Sequence, residues 1–139
     1  MIKSIIFPLI ILLFQVSLSA QDSTNTESPK IISKLKLGST IEFDSKSIKF
    51  VKVIEDSRCP TGVSCMWEGQ AKVQIEIYEN EKLLETKELI FGKTNINPKK
   101  QELVMTKGDK TVYGYTISPY PVNQQPIPEE NYYLELIIK

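Results

Sequence analysis

Residues 71–92, AKVQIEIYENEKLLETKELIFG, decide how the chain folds. In the first half Val73, Ile75 and Ile77 alternate with Gln74, Glu76 and Tyr78, the period of two of a strand with one buried face. The second half is ambiguous, because Leu, Glu and Lys in ENEKLLETKELI also favour helix. The Val/Ile-rich run before it and Ile90-Phe91 at its end favour a returning strand. The stretch then reads as a β-hairpin turning at Asn80-Glu81 or its neighbours.

The chain around that hairpin breaks into similar short runs separated by turn residues. KLKLGSTIEF is punctuated by Gly38 and places a strand at about 39–44. SIKFVKVIED, residues 47–56, is a longer strand in which strict alternation slips between Phe50 and Val51. A β-bulge, or burial on both faces, accounts for the slip. GKTNINPKK is a loop. QELVMT and TVYGYTIS pair across a turn at Lys107-Gly108-Asp109-Lys110. PYPVNQQPIPEE, residues 119–130, carries four prolines and cannot be a central strand or a helix. It is expected to cross the molecule as an extended segment, and NYYLELIIK closes the chain as a last strand. About seven antiparallel strands without a long helix predict an all-β domain, a β-sandwich or a partly open barrel.

The ends set the compartment. Met1-Ile2-Lys3, the apolar run IIFPLIILLF, small residues up to Ala20 and the polar QDSTNTESPK follow the order of a secretory signal. The apolar run is about half the ~20 residues of a membrane-spanning helix. The expected organisation is a signal peptide at 1–20, a flexible lead-in at 21–33 and one domain at 34–139. The exported chain is then periplasmic or extracellular and has no transmembrane segment. Losing Lys3 with the leader leaves 16 basic residues against 17 acidic ones, and Arg58 is the only arginine. Such a surface does not suit nucleic acid, which requires a basic face.

Chemistry is narrowed by what the chain lacks. All 139 residues include no histidine. Ser-His-Asp and Cys-His hydrolases in their usual form and His-ligated metals are therefore excluded. The two cysteines, Cys59 and Cys65, are expected to form a disulfide in an oxidising compartment. What remains is carboxylates, Lys, Tyr and Ser. Glu55, Asp56 and Glu68 bracket the cysteine loop, and Glu129 and Glu130 lie in the proline-rich one. A carboxylate pair or a calcium site there is weighed and set aside in favour of solvated turn acids, so no catalytic residue, cofactor or metal is expected.

The loop DSRCPTGVSCMWEG, residues 56–69, carries both cysteines, Arg58 and the only tryptophan. Pro60 at the first central position of a turn, with Gly62 two residues on, shapes a small hoop. In an extended segment Trp67 points the same way as Cys65, which would pack it on the disulfide as core; the alternative is an exposed binding platform. Gly69 marks a bulge or a close backbone approach. Arg58 either presents itself to a trypsin-like protease or turns inward to fork onto Asp56, Glu68 or backbone carbonyls. Tyr113, Tyr115, Tyr120, Tyr132 and Tyr133 cluster near the C-terminus, with Tyr113 and Tyr115 assigned to one strand face, and Tyr115 and Ile117 likewise. The candidate surface comprises Arg58, Trp67, Glu68, Tyr120 and Gln124. Its expected ligand is a protein or a glycan. The readings carried forward are a non-catalytic binding module, a protease inhibitor presenting the Arg58 loop, and a structural cell-envelope protein.

DSRCPTGVSCMWEGQAKV, with YTISPYPV and NYYLEL downstream, resembles a family of small exported bacterial proteins sharing a DSRCPxxVxCxWxG motif. Asp56, Ser57, Arg58, Cys59, Pro60, Val63, Cys65, Trp67 and Gly69 match that motif, and Pro119, Tyr120, Pro121 and Tyr132 match its downstream part. The resemblance spans about residues 35–139. It implies export, the disulfide and a β fold, and implies no activity. The chain departs from members that carry a lipid-modified N-terminal cysteine.

Overall fold

The computed structural model describes residues 31–92 and 102–139, and none of them lies in an α-helix. The expected signal peptide, most of the lead-in and the GKTNINPKK loop fall outside the described residues. Eight strands run in chain order: β1 (Ile31–Lys36), β2 (Thr40–Phe43), β3 (Lys46–Asp56), β4 (Gln70–Glu79), β5 (Lys82–Gly92), β6 (Glu102–Lys107), β7 (Lys110–Ser118) and β8 (Tyr133–Ile138). A short 3-10 turn, Glu129–Asn131, precedes β8.

The strands form two four-stranded antiparallel sheets, in the orders β2-β3-β4-β5 and β1-β8-β7-β6. The first sheet is a meander built from consecutive hairpins. In the second, β8 inserts between β1 and β7, so the last of the described strands closes against the first. The result is a β-sandwich.

Alternation explains which faces meet. On β4, Ala71, Val73, Ile75 and Ile77 are buried, and the residues between them are half-buried on the outer face. Ile48 and Phe50 of β3 and Leu89 and Phe91 of β5 extend this layer. Val104, Val112, Ile117, Leu134 and Leu136 face it from the other sheet. Full burial of each such side chain contributes roughly 1.5–3 kcal/mol. A Cβ on Gly114 of β7 would lie 3.0 Å from Leu89 Cδ1 and from Phe91 Cζ, so the absent side chain lets the sheets close.

The slip expected in β3 is a register shift between Phe50 and Lys52, where Val51 is the extra residue. Two expectations are corrected. Ile31, Ile32 and Ser33, read as lead-in, belong to β1 and pair with Ile138, Ile137 and Leu136. They raise the strand number to eight. Tyr115 and Ile117 do not share a face by simple alternation, because the register of β7 against β8 shifts between Gly114 and Thr116. That shift sends Ile117 into the core and leaves Tyr115 half-buried.

The 71–92 stretch is two strands. Asn80 and Glu81 adopt φ of 49° and 66°, both left-handed, as a tight two-residue hairpin turn requires. No helix among the described residues is long and apolar enough to cross a membrane.

Candidate functional site

The connection from β3 to β4 is closed at its base by backbone bonds that prolong the strand pairing. Ser57 N–H donates to the Gln70 carbonyl (2.8 Å), and Cys59 N–H donates to the Glu68 carbonyl (2.9 Å). Gly69 makes this approach possible. Its φ is 69°, and a Cβ there would fall inside the Ser57 carbonyl oxygen. Above this base, Cys59 and Cys65 are joined in a disulfide. The turn inside the hoop runs from Pro60 to Val63, with Val63 N–H donating to the Pro60 carbonyl (3.4 Å) and Gly62 at φ 81°. Pro60 therefore occupies the first corner of the turn instead of its first central position.

Arg58 points inward and is 4% exposed. Its Nε donates to Asp56 Oδ1 (2.7 Å) and its Nη2 to Asp56 Oδ2 (2.6 Å), a bidentate fork. Nη1 donates to the Ile117 carbonyl (2.8 Å), and Nη2 donates also to the Pro119 carbonyl (3.0 Å). The guanidinium carbon lies 5.0 Å from the centroid of the Tyr120 ring. One side chain thus ties the end of β3 to the end of β7 and to the proline-rich loop. Its orientation is a consequence of charge: a buried guanidinium requires both a counter-ion and acceptors for its remaining N–H groups.

Two tyrosines complete the knot. Tyr132 donates its hydroxyl to Asp56 Oδ2 (2.9 Å), and Tyr120 donates its hydroxyl to the Cys59 carbonyl (2.8 Å). Burial pushes the Tyr132 phenol up from the ordinary 10.0 to about 12; the hydrogen bond to Asp56 and that carboxylate's negative charge add to the shift, while Arg58 opposes it.

The cysteine loop and the proline-rich loop are also joined directly. Thr61 N–H donates to the Pro121 carbonyl and Asn123 N–H to the Thr61 carbonyl, both at 3.0 Å, forming an isolated parallel bridge between Thr61 and Val122. Beside this junction lies a groove of about 440 Å³ between the end of β3 and residues 121–129. Ile54, Glu55, Gln124, Ile127, Glu129 and Tyr132 are among the residues that line it.

Trp67 is not core. It is 67% exposed, Met66 beside it is fully exposed, and Val122 on the adjoining loop is 51% exposed. The expected packing on the disulfide required an extended segment. Residues 62–69 are irregular, with a turn at Gly62 and a bend at Met66-Trp67 and no strand pairing, so strand alternation with Cys65 does not apply there.

The five proposed surface residues therefore separate. Trp67, Glu68 and Gln124 are exposed. Arg58 is inside, and Tyr120 is half-buried beneath it. Met66 and Val122 join the exposed group, and Tyr132 and Asp56 join the interior one. Met66 was legible only as the neighbour of Trp67, whereas nothing local in the sequence marked Tyr132 as the partner of Asp56.

The carboxylates are engaged in different ways. Asp56 serves Arg58 and Tyr132, and Glu55 Oε1 accepts from the Ser57 hydroxyl (2.8 Å). Among the described residues no group of His, Cys, Asp or Glu side chains is arranged to hold a metal ion. Comparison of the chain with family models, curated protein sequences and solved structures returns no match.

Proposed function

We propose that the protein is an exported, non-catalytic binding module that engages a protein partner through the Met66-Trp67 tip. The observation that carries this reading is the exposure of Trp67 beside a fully exposed Met66 on a loop held at four points. Those points are the Cys59–Cys65 bond, the Cys59–Glu68 backbone bond, the Arg58–Asp56 fork and the Thr61–Val122 bridge. Large apolar side chains on a rigid loop are unfavourably hydrated in the free protein, so burying them against a partner is favourable and costs little ordering. Tryptophan is among the residues enriched where binding energy concentrates. Two adjacent exposed apolar side chains suit a pocket on a partner.

Export and a periplasmic or extracellular location are part of the proposal. They are supported by the order of charged, apolar and small residues at 1–20 and by a disulfide that an oxidising compartment sustains. The inhibitor variant loses its key residue, since Arg58 would have to break four hydrogen bonds to enter a protease pocket. The test is capture of partners from the exported fraction of producing cells, with wild type and Trp67→Ala side by side. The proposal expects a specific partner retained by wild type and lost by the variant. Equal retention by both would remove the tip as the binding surface.

A further inference from the structure

We infer that Met66 is a site of reversible oxidation by peroxides, and that its sulfoxide weakens the apolar tip. The inference about binding rests on the function proposed above; the chemistry of the site does not.

The chain has three methionines, of which Met66 and Met105 are among the described residues. They occupy opposite environments. Met105 on β6 is 8% exposed and belongs to the core cluster, whereas Met66 is fully exposed in the β3–β4 loop just after Cys65. Both cysteines are already joined in the disulfide, and no free thiol is present among the described residues. The thioether of Met66 is therefore the exposed sulfur in this region still open to a two-electron oxidant.

In that reaction a lone pair on the Met66 sulfur attacks one peroxide oxygen. The S–O bond forms as the O–O bond breaks, sulfur loses two electrons, and the departing oxygen takes up the protons to leave as water. The product replaces a flexible apolar thioether with a polar, chiral sulfoxide. Such a change in a core is buffered by slow access. Here nothing delays it, and it falls beside Trp67, on the surface that has to desolvate against a partner. An oxidising compartment is also where peroxides meet exported chains without the cytosolic thiol pool. Sulfoxide reductases reverse the modification with two electrons and two protons from a dithiol, which becomes a disulfide as the oxygen leaves as water, one enzyme type for each sulfur configuration.

The test treats the exported protein with dilute hydrogen peroxide and follows each methionine-bearing peptide by mass spectrometry. Retention on a phenyl-agarose column serves as the probe of tip apolarity. Met66 is expected to gain one oxygen roughly tenfold or more faster than Met105, because a core sulfur reacts only through transient opening. Retention is expected to fall with Met66 oxidation, to recover on treatment with both reductase types, and to stay unchanged in Met66→Leu under the same peroxide. Oxidation of Met105 as fast as Met66 overturns the assigned site. Retention that falls equally in Met66→Leu, or that does not fall when Met66 is oxidised, overturns the effect on the tip. These outcomes are separable from the binding proposal, since Trp67→Ala can abolish or retain partner capture whichever methionine reacts.

Discussion

Arg58 and Asp56 form a closed pair at the end of β3, with Nη2 2.6 Å from Oδ2 and side chains only 2% and 9% exposed. The pair sits where three segments meet, so its job is positional. It fixes the base of the cysteine loop, and through the Ile117 and Pro119 carbonyls it fixes where the proline-rich loop departs from β7.

Removing one partner strands the other. Arg58→Ala leaves the buried Asp56 carboxylate without its counter-ion, with the Tyr132 hydroxyl still donating to it, and takes one donor each from the Ile117 and Pro119 carbonyls; it is expected to cost roughly 3–5 kcal/mol of folding stability. Arg58→Lys keeps the charge but cannot reproduce the fork, and should also destabilise. The double variant Asp56→Ala/Arg58→Ala should lose less than the sum of the two single variants. Urea unfolding of the four proteins checks this; additive losses would show that the pair acts separately.

Tyr132 gives the pair a pH signature. Its phenol titrates near 12 in the folded chain against an ordinary 10.0, so the folded state holds the proton more tightly. The contribution is fully present below about pH 10 and is lost as pH rises through 12. Tyr78, bonded to Glu76, is also raised, so tyrosinate absorbance should show a phenol titrating near 12 in the wild type that is lost in Tyr132→Phe. The same variant deletes a hydrogen bond to a charged acceptor, a loss of about 1.5–3 kcal/mol at neutral pH.

Two glycines with similar backbones should respond differently. Gly38 and Gly69 have φ of 82° and 69°, yet a Cβ on Gly38 meets open space while one on Gly69 meets the Ser57 carbonyl. Gly38→Ala should cost about 1–2 kcal/mol, the strain of the left-handed conformation alone. Gly69→Ala should cost clearly more, because the base of the loop has to open. Thermal unfolding of both variants distinguishes backbone strain from steric closure.

The hoop is a modest staple. Cys59→Ser/Cys65→Ser should lose about 2 kcal/mol in the chain-entropy view of so short a loop. The sandwich should survive, as Phe50, Ile75 and Phe91 pack far more surface than the loop does. Far-ultraviolet circular dichroism should be retained at a lower unfolding midpoint.

Periodicity made most of the sandwich legible, because a period of two at Val73, Ile75 and Ile77 reports burial of one face directly. The β3 bulge was legible too, since Val51 breaks that period visibly. β1 was not, because Ile31-Ile32 follows a polar stretch and its partner, β8, lies at the opposite end of the chain. The inward turn of Arg58 was one of two alternatives in the sequence, and its acceptors on Ile117 and Pro119 arise only from tertiary closure. Trp67 was misplaced toward the core for a physical reason. Side-chain alternation holds in strands, and the irregular segment from Gly62 to Gly69 obeys no such rule.

The chain's single tryptophan makes the outward half of the central arrangement, Trp67 exposed beside a buried Arg58, directly measurable. Acrylamide quenching of the folded protein's intrinsic fluorescence reads Trp67 alone. The account predicts a red-shifted emission quenched nearly as efficiently as the urea-unfolded chain. A blue-shifted emission that acrylamide reaches only on unfolding would contradict it.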